Sequence, residues 1–178
     1  MDRIVSFYAL KGTDHRGRTL EEMWAWDDDT LEHLHDYIQW MFPTERASAF
    51  NAHAPLVTAA TRQAFATDPA LRENLSHSFD RILAFYGFGW DAAHVAVVTG
   101  PTFHLRERVW LTPGNHNHLR ITRILDSLRL LSMPDLAVAF FAALEDVYAR
   151  HPAAISGTTY EFWSRMAERA REGDSTTG

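Results

Sequence analysis

Asp36-Tyr37-Ile38-Gln39-Trp40-Met41-Phe42-Pro43 is the stretch on which the reading of this fold turns. Leu31, Leu34, Ile38, Met41 and Phe42 recur so that, at about 100° per residue, they share one broad apolar face. Glu32, Asp36 and Gln39 form a polar strip, and Tyr37 and Trp40 fill the remaining sides. This period predicts a helix over residues 30–42. Asp29 and Glu32 have capping-box spacing at its start. Pro43 closes it, because proline disfavours helical backbone in the residue before it. A helix apolar or aromatic on nearly every side is a buried helix. Its polar groups then need partners, since a buried carboxylate without one is costly.

Helical periods also dominate outward from this stretch. Residues 3–10 read as a short helix or an extended arm, and Lys11–Arg18 as a loop. Thr19-Leu20-Glu21-Glu22 opens a short helix carrying Trp24 and Trp26. Pro55 suits a first helical turn, with a helix running to Thr67. Asp68-Pro69 then starts a helix whose apolar residues Leu71, Leu75, Phe79, Ile82 and Tyr86 lead to a stop at Gly87. Residues 88–102 read as loop or extended chain, because His94–Val98 has strand propensity but no evident partner. Further helices are predicted from Phe103, after Asn115, after Pro134 and from a Thr158/Glu161 capping pattern. The expectation is an all-α, compact, irregular multi-helix domain of about seven helices. It spans residues 1–172 as a single domain, followed by a disordered tail at 173–178.

Composition narrows the function classes. The 178 residues suit one domain with a sizeable core. The 46% hydrophobic and 22% charged content is that of an ordinary globular protein. No cysteine is present, which rules out disulfides and thiolate metal sites within this sequence. A net charge of −6 argues against a general nucleic-acid partner. No apolar run approaches a membrane span, and the amino end does not read as a signal peptide. A cytoplasmic location is the expectation. No glycine-rich phosphate loop, nucleophile elbow or zinc-protease motif appears.

Several words occur in a fixed order along the chain: Gly17-Arg18-Thr19-Leu20 with Met23-Trp24, then Leu31 through Trp40, then Ser48-x-Phe50-Asn51 and Ala54-Pro55-Leu56. Phe85-Tyr86-Gly87 and Asn115-His116-Asn117-His118-Leu119-Arg120-Ile121-Thr122-Arg123-Ile124-Leu125 complete the series. Together they resemble the conserved region of the opioid growth factor receptor family, over roughly residues 4–145, in a short, bacterial-type single-domain form. Met41 stands where the family more often has Leu, a volume-conserving exchange. Ser132 stands where Gly is more common. The resemblance implies a binding function, since long animal members are described as nucleus-associated receptors for an enkephalin peptide. It implies no catalytic residues and no cofactor.

Candidate site residues come from the two signature words. Tyr37, Gln39 and Trp40 would line an aromatic cleft, with Arg120 or Arg123, one turn apart on a helix, meeting a ligand carboxylate. The same arginines would serve equally well in a structural ion-pair network with Glu32 and Asp36. A third arrangement uses His35, Asp36, His116 and His118 as metal ligands of an enzyme. It is weak in pattern, because histidines two apart on a helix point to different faces. The preferred reading is a non-catalytic binding domain for a peptide or small carboxylate ligand. The alternatives are that metal-dependent enzyme, or a scaffold forming homo-oligomers through the apolar stretch Leu136–Tyr148.

Overall fold

The computed structural model describes residues 2–49 and 51–173. Residues 174–178 of the expected disordered tail lie outside that set. Among the described residues there are ten helices and one small sheet. The helices are α1 (Arg3–Tyr8), α2 (Leu20–Ala25), α3 (Asp28–His33), α4 (Ile38–Met41), α5 (Ala59–Thr67), α6 (Pro69–Tyr86), α7 (Phe103–Trp110), α8 (Asn117–Leu130), α9 (Pro134–Arg150) and α10 (Gly157–Glu172). Strands β1 (Phe88–Trp90) and β2 (Val97–Thr99) lie between α6 and α7. The fold is therefore mostly helical rather than strictly all-α, and it has more helices than the sequence suggested.

Two features account for the difference. The single helix expected over 30–42 is two short helices, because Leu34 leaves α3 with an extended backbone (ψ 134°). Side chains take over the carbonyls at the break. Tyr37 donates its hydroxyl to the Leu31 carbonyl at 3.2 Å, and Asn51 Nδ2 donates to that of Asp36 at 3.0 Å. The second feature is the antiparallel hairpin, which pairs Phe88 with Thr99 and Trp90 with Val97. Its turn is tied by the Asp91 carboxylate, which accepts from the backbone of Val95 and Ala96. The missing partner strand was Phe88-Gly89-Trp90, too short and too interrupted by glycine to show a two-residue period.

Caps also moved by a few residues. Asp27, not Asp29, caps α3 by accepting from Thr30 N at 2.8 Å. The α5 helix starts at a reciprocal Thr58/Thr61 box rather than at Pro55. Pro55 instead precedes Leu56, which bridges to Thr44. Ser156, not Thr158, caps α10. In each case a nearby oxygen with the right reach satisfies the free N–H groups of the first turn. The Thr19/Glu22 box at α2 forms as its sequence indicates.

The chain groups into two compact units, Met1–Arg81 with Leu130–Ser132, and Ile82–Arg129 with Met133–Gly178. In the first unit α1 packs on α5. Phe7 sets its ring edge-on to Trp40 at 5.4 Å, and Tyr8 does so to Phe65 at 5.2 Å. The Tyr8 hydroxyl donates to the Met41 carbonyl, and Asn74 Nδ2 to the Tyr8 carbonyl at 2.8 Å, so the apolar ring is buried with its backbone partners satisfied. In the second unit α9 lies along α10 and against β2. Ala137, Phe140, Phe141, Leu144 and Val147 are buried there, so the Leu136–Tyr148 stretch directs much of its apolar side to its own unit. Trp110 Nε1 donates to the Tyr86 carbonyl at 3.1 Å, and Trp163 Nε1 to Thr122 Oγ1, also at 3.1 Å. No helix among the described residues is long and apolar enough to cross a membrane.

Two backbone positions carry specific demands. Gly87 ends α6 at φ +85°, and a Cβ there would stand 2.7 Å from the Phe103 backbone. Ser132 follows α8 at φ +64°, a left-handed conformation that favours glycine. Gly87→Ala is expected to destabilise the chain by at least about 2 kcal/mol, through strain plus overlap. Ser132→Gly is expected to stabilise by about 0.5–1 kcal/mol, the relief of strain exceeding the added freedom of the unfolded chain. Urea unfolding midpoints at constant m-value check both.

Candidate functional site

The loop between α1 and α2 builds the site. Asp14-His15-Arg16-Gly17-Arg18 closes on itself through Asp14 N to the Arg18 carbonyl (2.9 Å) and Gly17 N to the Asp14 carbonyl (3.1 Å), with Gly17 at φ +82°. The Asp14 side chain is wholly buried. Its Oδ1 accepts from the backbone N–H of Arg16 (2.8 Å) and Arg18 (3.0 Å), and its Oδ2 from Arg18 Nε (2.7 Å). Burial alone would raise its pKa. The hydrogen bonds from the Arg18 side chain and from the Arg18 and Arg16 backbone, with the Arg18 charge, outweigh burial and hold it below the usual 3.8. Arg18 shows the converse. Burial opposes its charge, but Asp14 and Asp36 raise its pKa above that of a free arginine.

Arg18 joins this loop to the signature word. Its Nη2 lies 2.5 Å from Asp14 Oδ2 and 3.0 Å from Asp36 Oδ1. Its guanidinium also lies over the Trp26 ring at 5.4 Å, which covers the pair. The other Asp36 oxygen meets Arg16 Nε at 2.5 Å, off the ideal hydrogen-bonding direction, and His15 Nε2 at 3.6 Å. The break after α3 is what turns Asp36 toward these cations.

Beyond the ion pairs lies a group of rings. His15 stacks on His53 at 5.2 Å and lies nearly parallel to Trp40 at 6.3 Å, and Arg3 sits over the Trp40 ring at 4.7 Å. Trp40 is fully buried, yet its Nε1 has no hydrogen-bond partner, and neither has His15 Nδ1. Arg16, by contrast, has 63% of its side chain exposed.

The expected site residues divide between the two units. Tyr37, Gln39 and Trp40 come together with Asp36 in the first. Tyr37 and Gln39 are buried; in the orientation that suits its neighbours, the Gln39 amide nitrogen donates to the His35 and Asp36 carbonyls (3.3 and 3.2 Å). Glu32 is half-buried on α3. Arg120 and Arg123 lie on α8, in the second unit. Arg120 is buried and donates to Asn117 Oδ1 at 3.3 Å. Burial lowers the Arg123 pKa, with partial compensation from Asp126. His118 Nε2 donates to the Trp110 carbonyl (2.9 Å), and its pKa is lowered chiefly by burial. His35 and His116 are exposed. Among the described residues no group of three or more His, Asp or Glu side chains is placed to hold a metal ion, so His35, Asp36, His116 and His118 do not assemble as a metal centre.

Reading the sequence missed Arg3, Asp14, His15, Arg16 and His53. A usable signal was present in Asp14-His15-Arg16-Gly17-Arg18, where a charged turn ends on an arginine of a signature word. A loop gives no period from which to infer that its side chains point inward.

A mostly helical chain that carries a signature-borne ion-pair cluster in its first unit is the class that fold and site define. Residues 8–171 match the family of the opioid growth factor receptor (OGFr) conserved region, and the chain belongs to that family. It is 38% identical over 136 residues to the opioid growth factor receptor of Rattus norvegicus, covering 72% of this chain and 22% of that protein. It is 34% identical over 110 residues to the Homo sapiens receptor, covering 62% and 16%. To the opioid growth factor receptor-like protein 1 of Xenopus tropicalis it is 33% identical over 115 residues, covering 63% and 22%. The matched segments thus span about a fifth of the length of these curated relatives. No solved structure matches the chain.

Arg18→Ala would strand the buried Asp14 carboxylate, and a loss of about 3 kcal/mol is expected. The effect has a definite pH sign. Because the folded pKa of Asp14 lies below its unfolded value, its contribution is present above pH 3.8 and disappears as the pH falls through the folded value. The stability gap between wild type and Arg18→Ala, measured by urea unfolding from pH 7 downward, should hold to about pH 4 and then close.

Proposed function

We propose that this chain is a non-catalytic binding domain for a peptide or small carboxylate ligand, and that the ligand is met at the edge of the Asp36 cluster. The observation that carries the reading is the pairing of an exposed guanidinium, Arg16, with a buried cluster that holds it in place. Asp36 takes Arg16 Nε, while most of the side chain faces solvent. A guanidinium fixed at one nitrogen is pre-organised to offer its remaining N–H groups to a carboxylate. The rings of His15, His53 and Trp40 beside it suit an aromatic or apolar neighbour of that carboxylate.

Arg120 and Arg123 were the other candidates for this role. Arg120 is nearly inaccessible and engaged with Asn117, and Arg123 is half-buried. Arg16 is the better anchor on accessibility alone. The relatives are named as receptors for an opioid growth factor, which accords with a peptide as ligand.

The test is calorimetric titration of the full chain with an enkephalin peptide bearing a free C-terminal carboxylate, and with its C-terminal amide. The carboxylate form should bind, weakening as salt is raised. The amide, and Arg16→Ala with the free acid, should each bind at least about fivefold more weakly, the scale of one charge-assisted contact at a part-exposed site. The unfolding midpoint of Arg16→Ala should stay close to wild type. Equal binding of acid and amide, or no binding of either at millimolar concentration, would overturn the proposal.

A further inference from the structure

Two buried ring nitrogens in the first unit have no partner, and they belong to neighbouring rings. Trp40 is fully buried with Nε1 unmet, and the half-buried His15 has Nδ1 unmet. The rings lie within 16° of parallel, with centroids 6.3 Å apart. An indole N–H is a donor and nothing else, so what it lacks is an acceptor. The imidazole offers a second N–H at Nδ1 whenever it is protonated or carries its proton there. Buried polar atoms in folded proteins are almost always met, so two unmet nitrogens on neighbouring, nearly parallel rings mark a place suited to an oxygen.

The charges around the rings indicate what bears that oxygen. Arg3 over Trp40, with Arg16 and Arg18 at Asp36, outnumber the two carboxylates of the cluster, Asp14 and Asp36. A surplus of positive charge suits an anion. A planar group entering beside two nearly parallel rings suits a carboxylate better than a tetrahedral phosphate. Resting on the binding reading above, we infer that Trp40 Nε1 and His15 Nδ1 form the inner subsite of the ligand site. There the two N–H groups receive one ligand carboxylate, whose outer oxygen faces Arg16. A peptide C-terminus and a free small acid both supply this carboxylate, since the recognising chemistry is the same. Trp40 thereby serves two ends, core packing through its ring and ligand recognition through its nitrogen.

The experiment follows side-chain and backbone N–H resonances of the full-length ¹⁵N-labelled chain during titration with sodium benzoate, sodium phosphate and neutral benzamide, and repeats the benzoate titration with Trp40→Phe and His15→Phe. Benzoate should move the Trp40 indole N–H saturably, phosphate and benzamide should move it far less, and each variant should bind benzoate about tenfold more weakly, the scale of one lost charge-assisted hydrogen bond. The wild-type indole resonance reads the contact directly, so the test stands even where a variant fails to fold. Benzoate that moves the Gly17 and Arg18 amides while leaving the indole in place, with Trp40→Phe binding as wild type, would overturn the subsite and leave the Arg16 reading intact. A stronger response to phosphate would overturn the carboxylate assignment. No movement of any resonance would overturn the subsite and the small-carboxylate reading together. A peptide that still binds through Arg16 by calorimetry would then show that only the subsite had failed.

Discussion

The Arg18 guanidinium, held between the buried carboxylate of Asp14 and that of Asp36, is the contact on which the first unit depends. Asp14 is inaccessible to solvent and is ionised there only because four N–H donors and a full positive charge surround it. Removing the Arg18 side chain would leave the Asp14 carboxylate uncompensated in a low-dielectric setting, which is far more costly than the pair is beneficial. A charged loop is thereby fixed against an aromatic core with the geometry of a folded element, although it has no regular secondary structure.

This constraint explains the local shape of the signature word. An uninterrupted helix over 30–42 would satisfy its own backbone. The break after Leu34 gives up part of that ladder, and Tyr37, Gln39 and Asn51 replace it with side-chain hydrogen bonds. What the break gains is the placement of Asp36 against Arg16, Arg18 and His15. Most polar members of the family's word thus serve this junction rather than solvent. The same arrangement leaves a well-held arginine at the surface, so rigidity inside and reach outside come from one set of contacts.

The second unit is organised differently. Trp110 and Trp163 donate to backbone or hydroxyl oxygens within the core, and α9 and α10 supply long apolar faces. Of its buried polar groups, His118 and Arg120 have local partners, whereas the Ser127 hydroxyl has none. It reads as a packed helical layer in which the arginines of the second signature word are part of the interior.

By itself the sequence determined the family, the mostly helical class and the start of most helices, because these depend on local words, a 3.6-residue period and short-range caps. It also determined that Asp36 and the arginines needed partners. It did not determine which ones. The signature words offer Arg120 and Arg123 as partners for Asp36, whereas Arg16 and Arg18, from the loop at residues 11–18, are the arginines that meet its carboxylate. Only the tertiary structure decided that choice, the break after Leu34 and the three-residue strand at Phe88–Trp90. The physical reason is the same each time: pairing of charges and strands is set by proximity in space, and neither a loop's inward side chains nor a three-residue strand leaves a period along the chain.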